Sequence, residues 1–109
     1  MSRAEFQLQT DATSAPVEVT VTGEVDASNV VDFNRAVRDL DPDRPVVLNL
    51  NDVKYLDSAG FSTLDRLLAD GEIVIVLAPN SFMHRVAELM CMPIHPDAKT
   101  ARKALRKGG

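Results

Sequence analysis

Two short hydrophobic runs constrain the fold of this chain most strongly: VVLNLN at residues 46–51 and EIVIVLA at residues 72–78. Both are rich in apolar and β-branched residues, and the second is nearly free of polar residues, as strands covered on both faces are. The segment between them, SAGFSTLDRLLADG, repeats apolar residues at helical spacing and ends at Gly71, which predicts an amphipathic helix. A strand, a helix and a strand in this order predict a right-handed βαβ unit with parallel strands.

The segment before this unit predicts two strands and a helix. EFQLQT and VEVTVT alternate apolar and polar residues, so we expect two strands that form a hairpin at one edge, with Gly23 ending the second. DASNVVDFNRAVRDLD then places apolar residues on one helical face, with Asp26 as the expected N-cap and Pro42 as the expected stop.

The segment after the unit predicts two further helices. NSFMHRVAELM indicates a third helix capped by Asn80 or Ser81, and AKTARKALRK a fourth with Ala98, Ala101 and Leu105 facing inward. MPIHPD, between them, is a candidate short edge strand. No repeat or long linker divides the chain, so we predict a single α/β domain over residues 1–109, with a mixed, mostly parallel sheet and four helices.

The composition is that of a soluble globular protein, since 45% of the 109 residues are hydrophobic and 26% are charged. No apolar run approaches the roughly 20 residues that a membrane span needs. The first residues, MSRAEFQLQT, lack the apolar stretch of a signal peptide. The single Cys91 cannot form an internal disulfide. Together these three features favour a reducing, cytoplasmic location, and we expect no membrane partner.

The net charge of −4 is unevenly distributed. Residues 98–109 carry five basic residues and no acidic one, which leaves residues 1–97 with seven basic and sixteen acidic residues, a balance of −9. A body this acidic repels the backbone of nucleic acid, so we expect no direct nucleic-acid binding. The basic run is interpreted most simply as the solvated face of the fourth helix, and contact with an acidic partner or a membrane surface is the alternative.

One short segment, YLDSAG at residues 55–60, is the strongest candidate for function. It follows a predicted strand and opens a predicted helix, which is where ligands sit in α/β sheets. Asp57 or Ser58 can serve simply as the N-cap of that helix, and Gly60 allows another backbone to approach closely. Alternatively, Ser58 is displayed for chemistry, as a nucleophile or as a residue that another protein modifies.

A hydrolase interpretation of this segment lacks a residue that it needs. A nucleophile elbow has the pattern Gly-x-Ser-x-Gly and a later histidine. His84 and His95 do follow, but Leu56 occupies the position of the first glycine.

A receiver-type phosphoacceptor at Asp57 or Asp52 is equally unsupported. Such sites combine an adjacent acidic pair with a late Lys, whereas Glu24 and Asp26 are not adjacent and no Lys follows IVIVL. The glycines stand singly, so there is no phosphate-binding loop. Cys91, which we expect to be a buried thiol, and the two histidines lack metal-ligand spacing. We therefore predict no catalytic activity, no metal and no cofactor.

Three segments coincide in a specific order. TGEVDASN has a strand followed by Gly-Glu-x-Asp before a helix, VVLNLNDVKYLDSAG has a strand, an Asn-Asp turn and Asp-Ser-x-Gly, and IVIVLAPNSFMHRVAELM has a strand that leads into an amphipathic helix. In this order they resemble the STAS domain, and in particular the bacterial anti-sigma factor antagonists. The resemblance covers roughly residues 4–107 and implies a STAS fold for the predicted α/β domain.

The resemblance implies regulation by partner switching. An unmodified antagonist binds an anti-sigma factor, which releases a sigma factor to RNA polymerase in a bacterial transcription or stress response. The anti-sigma factor often doubles as a serine kinase that uses ATP and Mg²⁺, and phosphorylation of the motif serine ends the complex. A serine phosphatase restores it. By position in the motif, the phosphorylated residue of this chain is Ser58.

The resemblance also implies a partner-binding surface made of the Ser58 loop, the start of the second helix and the turn at residues 23–26. Its expected residues are Gly23, Glu24, Asp26, Asp57, Ser58, Ala59, Gly60, Phe61 and Ser62. The family usually continues with Leu-Gly and a longer helix, whereas here Phe61-Ser62 follows and Gly71 comes early, so Ser62 and Thr63 are rival phosphoacceptors. The alternative function is a STAS subunit of a transport complex, or a sensor module, that serine phosphorylation does not control.

Overall fold

The computed structural model describes residues 4–11, 13, 16–41 and 44–108. The elements in chain order are β1 (Phe6–Asp11), β2 (Glu18–Val25), α1 (Val30–Leu40), β3 (Val46–Leu56), α2 (Ser58–Ala69), β4 (Ile73–Val76), α3 (Phe82–Leu89) and α4 (Ala98–Gly108). The predicted order of strands and helices is therefore confirmed.

The four strands form one sheet in the order β1-β2-β3-β4. β1 pairs antiparallel with β2, while β2 with β3 and β3 with β4 are parallel pairs, which confirms the edge hairpin and the parallel βαβ unit. The segment MPIHPD adds a single parallel bridge between His95 and Val76 at the β4 edge. There the N–H of Leu77 donates to the carbonyl of His95 at 2.9 Å.

Alternating side chains divide the core between the two faces of the sheet. On one face, Leu48 and Ile75 belong to the main core together with residues of α1, α2 and α3, among them Phe33 and Leu64. On the other face, Val47 and Val76 are covered by α4. The residues of α4 that pack there are Ala98, Ala101 and Leu105, as the helical spacing predicts.

The prediction that Gly23 ends the second strand is wrong, because β2 continues to Val25. Gly23 has φ +91° and marks a shift in the pairing register between β2 and β3. A Cβ at this position would lie 2.2 Å from the carbonyl oxygen of Glu5, and that same carbonyl accepts the N–H of Glu24 at 2.8 Å. The glycine therefore forms a bulge that admits the chain leading into β1.

The predicted Asn-Asp turn after residue 51 is also wrong, because β3 runs on to Leu56. β4 pairs only with the first part of β3, so the second part pairs with β2 alone. A register shift between Thr20 and Thr22 absorbs the irregular stretch of β3. Asn51 contributes a side-chain oxygen that accepts the N–H of Ala78 at 2.7 Å, which ties β3 to the loop after β4.

The end of α2 follows its predicted signal. Gly71 has φ +72° directly after α2, as expected for a glycine at a helix C-terminus. α1 ends at Leu40, and the predicted stop, Pro42, lies outside the described residues.

We expect Gly23→Ala to destabilise the fold more than Gly71→Ala. Both positions have a positive φ, which costs an L-residue roughly 1–2 kcal/mol, but a Cβ at Gly71 meets nothing within 4 Å. The comparison therefore isolates the clash of Gly23 with Glu5. Free energies of unfolding from urea titration measure it, and equal losses in the two variants would contradict the proposed close approach.

Candidate functional site

Ser58 is the first residue of α2, directly after the end of β3, and it is exposed. In the part of the chain that the structure describes, its hydroxyl makes no hydrogen bond. The N-cap of α2 is Asp57, so of the two sequence alternatives for the cap, Asp57 is confirmed and Ser58 is not. The side chain of Ser58 is consequently available at the surface.

Asp57 connects the start of α2 to the turn that precedes α1. One carboxylate oxygen accepts the N–H of Gly60 at 2.9 Å, which caps the helix. The other accepts the N–H of Ala27 at 3.1 Å, thirty residues earlier in the chain. The backbone N–H of Asp57 also donates to the carbonyl of Val25 at 3.3 Å. The two loops that follow β2 and β3 are thereby held together.

The turn before α1 is organised differently from the prediction. Asp26 is not the N-cap, because α1 begins at Val30 and Asn29 occupies the cap position. Instead, one Asp26 oxygen accepts both the backbone N–H and the hydroxyl of Ser28. This local turn uses the short side chain of Asp in the way typical of Asx turns, so the helix starts three residues later than expected.

Asn29 stabilises the turn before α1, and it was not among the residues predicted from the sequence. Its side chain is 7% exposed, and its oxygen accepts the N–H of Asp26 at 2.9 Å. Its amide nitrogen donates to the carbonyls of Ala4 and Glu24, at 3.0 and 2.9 Å. Asn29 therefore fixes the turn to the start of β1 and the end of β2. An Asn directly before an apolar helical run is the signal that could have found it.

The two hydrogen bonds within the turn alter the acidity of Asp26. The Ser28 hydroxyl first, and then its backbone N–H, hold the pKa of the Asp26 carboxyl below its ordinary value, against a smaller opposing effect of desolvation. Asp26 is therefore a carboxylate at neutral pH. Asp26, Asp57 and the exposed Glu24 are thus three acidic residues at the edge of the sheet where β2 and β3 end.

Gly60 and Phe61 support the surface from within. A Cβ at Gly60 would lie 2.9 Å from the carbonyl oxygen of Val25 and 3.0 Å from a methyl of Leu56, so the predicted close backbone approach is confirmed. Phe61 is 6% exposed and belongs to the main core. Of the predicted partner-binding residues, these two are positioned to hold the loop and not to form its outer face.

The remaining predicted residues are either exposed or half-buried. Glu24, Ser58 and Ser62 are exposed, while Asp26, Asp57 and Ala59 are half-buried. Ser62 lies one helical turn after Ser58. Thr63, the other rival phosphoacceptor, is half-buried beside α1. Gly23 lies within β2, beside the Glu5 carbonyl and the Cα of Phe6, and is not part of the turn itself.

The histidines and the cysteine that were candidates for catalysis or metal binding lie outside this loop. His84, on α3, has Nδ1 2.7 Å from a carboxylate oxygen of Glu88, and His95 forms the β-bridge at the sheet edge. Cys91 is exposed, with φ +56° just after α3, so the predicted buried thiol is wrong: the reversal of the chain there turns it outward. Within the described ranges, no three of His, Cys, Asp and Glu form a group that could hold a metal ion.

Among the described residues, no helix is long and apolar enough to cross a bilayer.

Comparison with known proteins matches residues 8–92 to the family model described as Mlab, STAS domain. The fold is similar to that of an anti-sigma factor antagonist from Mycobacterium paratuberculosis, with 21% identity, a TM-score of 0.73, and coverage of 94% of this chain and 95% of that one. It is also similar to the anti-sigma factor antagonist SpoIIAA in its unphosphorylated form, with 15% identity, a TM-score of 0.57 and coverage of 94% and 100%.

A third similar structure is an uncharacterized protein of the DUF3478 family with a SpoIIAA-like fold, from Shewanella loihica PV-4. It is 6% identical, with a TM-score of 0.56 and coverage of 96% of this chain and 97% of that one. No curated protein matches the chain.

We expect Asp57→Ala to lower the free energy of unfolding by about 1–2 kcal/mol, because both the helix cap and the bond to Ala27 are lost. Asp57→Asn keeps one acceptor oxygen and is expected to lose less. The control, Ser58→Ala, removes an exposed hydroxyl and is expected to stay within about 0.5 kcal/mol of the parent. A larger loss for Ser58→Ala than for Asp57→Ala in urea titration would contradict this assignment.

We expect Ser28→Ala to raise the pKa of Asp26, because it removes the hydrogen bond that lowers this pKa most. A carboxyl whose pKa is lowered by folding contributes stability above its unfolded-state pKa and loses it as the pH falls through the folded-state value. NMR titration of the side-chain carboxyls measures the change. The carboxyl of Asp97, whose lowered pKa depends on Thr100, is the internal control and is expected to titrate unchanged. An unchanged Asp26 midpoint would refute the role given to Ser28.

Proposed function

Because the chain belongs to the STAS domain family, we propose that it acts as an anti-sigma factor antagonist, which binds an anti-sigma factor and thereby releases a sigma factor for transcription. It acts by binding and not by catalysis, as a single cytoplasmic domain of residues 1–109. The anti-sigma factor is an ATP-dependent serine kinase that phosphorylates Ser58, and a serine phosphatase restores the binding form. The shared fold with two antagonist structures supports this proposal.

The observation that carries the proposal is the exposed hydroxyl of Ser58 at the start of α2. Asp57 caps the helix, so the Ser58 hydroxyl is not needed as the cap and forms no hydrogen bond with the described residues. A kinase can therefore reach the hydroxyl without opening the fold. Glu24 and Asp26, at the end of β2, and Ala59, next to Ser58 in α2, would supply further contacts for the partner.

Phosphorylation of Ser58 is expected to leave the domain folded and to weaken its binding to the partner. It adds about −1.5 to −2 charges, and at the first residue of α2 these meet free backbone N–H groups and the positive end of the helix dipole. The same phosphate lies beside the Asp57 carboxylate, and both become costly to desolvate when a partner covers them. The domain accordingly stays folded while the complex dissociates.

A second candidate function is favoured by one observation: the matched family model is described as Mlab and not as an antagonist. The chain would then be a STAS subunit of a transport complex, or a sensor module, and serine phosphorylation would not control it. The partner would be a membrane transport protein. Because the two functions differ in partner, one capture experiment separates them.

We expect Ser58→Ala, used as bait in lysate of the source bacterium, to capture an anti-sigma factor with an ATPase fold, and Ser58→Glu to lose it. Mass spectrometry identifies the captured proteins. With the purified partner, the affinity for Ser58→Glu is expected to fall by about 1–3 kcal/mol or more, the size of a useful regulatory coupling. Gln9→Glu adds the same charge on the exposed face of β1 and is the matched control, expected to bind unchanged.

Two results would contradict parts of this prediction. Equal capture by both baits would mean an antagonist that Ser58 does not control, and capture of a membrane transporter would favour the second function. Circular dichroism of Ser58→Asp and Ser58→Glu is expected to match the parent. A collapsed spectrum would show that Ser58 is mainly structural.

We expect the kinase partner and ATP to modify Ser58 and neither Ser62 nor Thr63. Ser62 is exposed one turn further along α2, and Thr63 is half-buried against α1, so access favours Ser58 and Ser62 over Thr63. The position of Ser58 in the Asp-Ser-x-Gly motif favours it over Ser62. Peptide mapping of the phosphoprotein by mass spectrometry locates the group. Modification only at Ser62 or Thr63 would overturn the assignment.

A further inference from the structure

A groove of about 460 Å³ lies between α1 and α2, next to the Ser58 loop. The two helices run side by side, so that Val31 and Ala59 line one end while Arg38 and Arg66 line the other. From Ala59 to Arg66 the helix rises about 10 Å, at 1.5 Å per residue. The groove therefore leads from the residue after Ser58 to a pair of arginines.

The end of the groove beside Ser58 has an exposed apolar side chain. Val31 is 66% exposed although it lies on a helix whose opposite face is in the core. The half-buried Ala59 lies across the groove from it. An apolar side chain of a partner that contacts both would bury surface now in water, which is favourable by roughly 25 cal/mol per Å².

The other end of the groove is positively charged. Arg38 donates to the carboxylate of Asp70 at 2.7 Å and lies 3.5 Å from that of Glu72, so its charge is balanced. Arg66 forms no ion pair with any residue in the described ranges. Among the described residues, no carboxylate lines the groove, although residues 1–97 carry a balance of −9.

The position of Arg66 in the last turn of α2 is favourable for a cation, since the helix dipole is negative there. That effect explains the sign of the charge. The helix dipole explains neither the exposure of Val31 nor the lack of acidic side chains among the described residues of the groove.

We propose that this groove docks an acidic amphipathic segment of the protein's partner, with an apolar side chain against Val31 and Ala59 and a carboxylate on Arg66. Charge complementarity carries the choice of an acidic segment, because a guanidinium without an ion pair binds a carboxylate through paired hydrogen bonds. This inference rests on the proposed function, in that the groove adjoins Ser58 and gives the partner a second contact. The contact does not involve the modified serine.

The test uses two short amphipathic peptides that are identical except that one carries Glu and the other Lys at its charged positions. Each is titrated into the isotope-labelled, unmodified full chain and followed by NMR. We expect the Glu peptide to bind about tenfold tighter or more, as one charge-assisted hydrogen-bonded pair provides. The amide shifts are expected to centre on Val31, Ser62 and Arg66.

Variants then assign the contacts. Arg66→Glu is expected to reverse the preference between the peptides, while Arg85→Glu, an equal charge change on the exposed face of α3, leaves it unchanged. Val31→Ser is expected to lower the affinity of the chain for both peptides. Because Val31 is largely exposed, its substitution is expected to leave the urea midpoint of unfolding unchanged.

Equal binding of the two peptides, no binding, shifts centred elsewhere, or a preference unaffected by Arg66→Glu would each overturn the groove proposal. The experiment contains no anti-sigma factor and no phosphate. A negative result alongside Ser58-dependent capture therefore refutes the groove alone. Groove binding without Ser58-dependent capture refutes the proposed switch alone.

Discussion

The carboxylate of Asp57 is the interaction on which the candidate surface depends. It caps α2 through Gly60 and at the same time holds the turn before α1 through Ala27. This double contact is possible because β2 and β3 are adjacent and parallel, so both strands end at the same edge of the sheet. The loops that follow them meet there, and a single side chain joins them.

At this edge of the sheet, the residues that stabilise the candidate surface are different from the residues that are exposed on it. Gly60 lets the backbone of α2 approach the end of β2, and the buried Asn29 fixes the turn to two strands. Ser58 carries none of these duties among the described residues. A charge can therefore be added to its hydroxyl without removing a support of the fold. A switch built on binding requires this separation, since the unmodified and modified forms must both stay folded.

The order of elements and the sheet topology could be predicted from the periodicity of the sequence, because alternation and helical spacing are local patterns. The length of β2 and β3 was not predictable in this way. Gly23 and the Asn-Asp pair look like turn residues, and only their tertiary neighbours, the Glu5 carbonyl and the loop after β4, allow them inside strands. The YLDSAG segment located the site, but which residue caps α2 and which is free depends on a bond between residues thirty positions apart.

The proposed switch is tested most directly by the affinity of the purified chain for the proposed anti-sigma factor, before and after enzymatic phosphorylation at Ser58. Isothermal titration calorimetry measures both values on the same preparation. We expect the affinity to fall about tenfold or more on phosphorylation, with an unchanged circular dichroism spectrum. Equal affinity of a stoichiometrically phosphorylated, folded chain would contradict it.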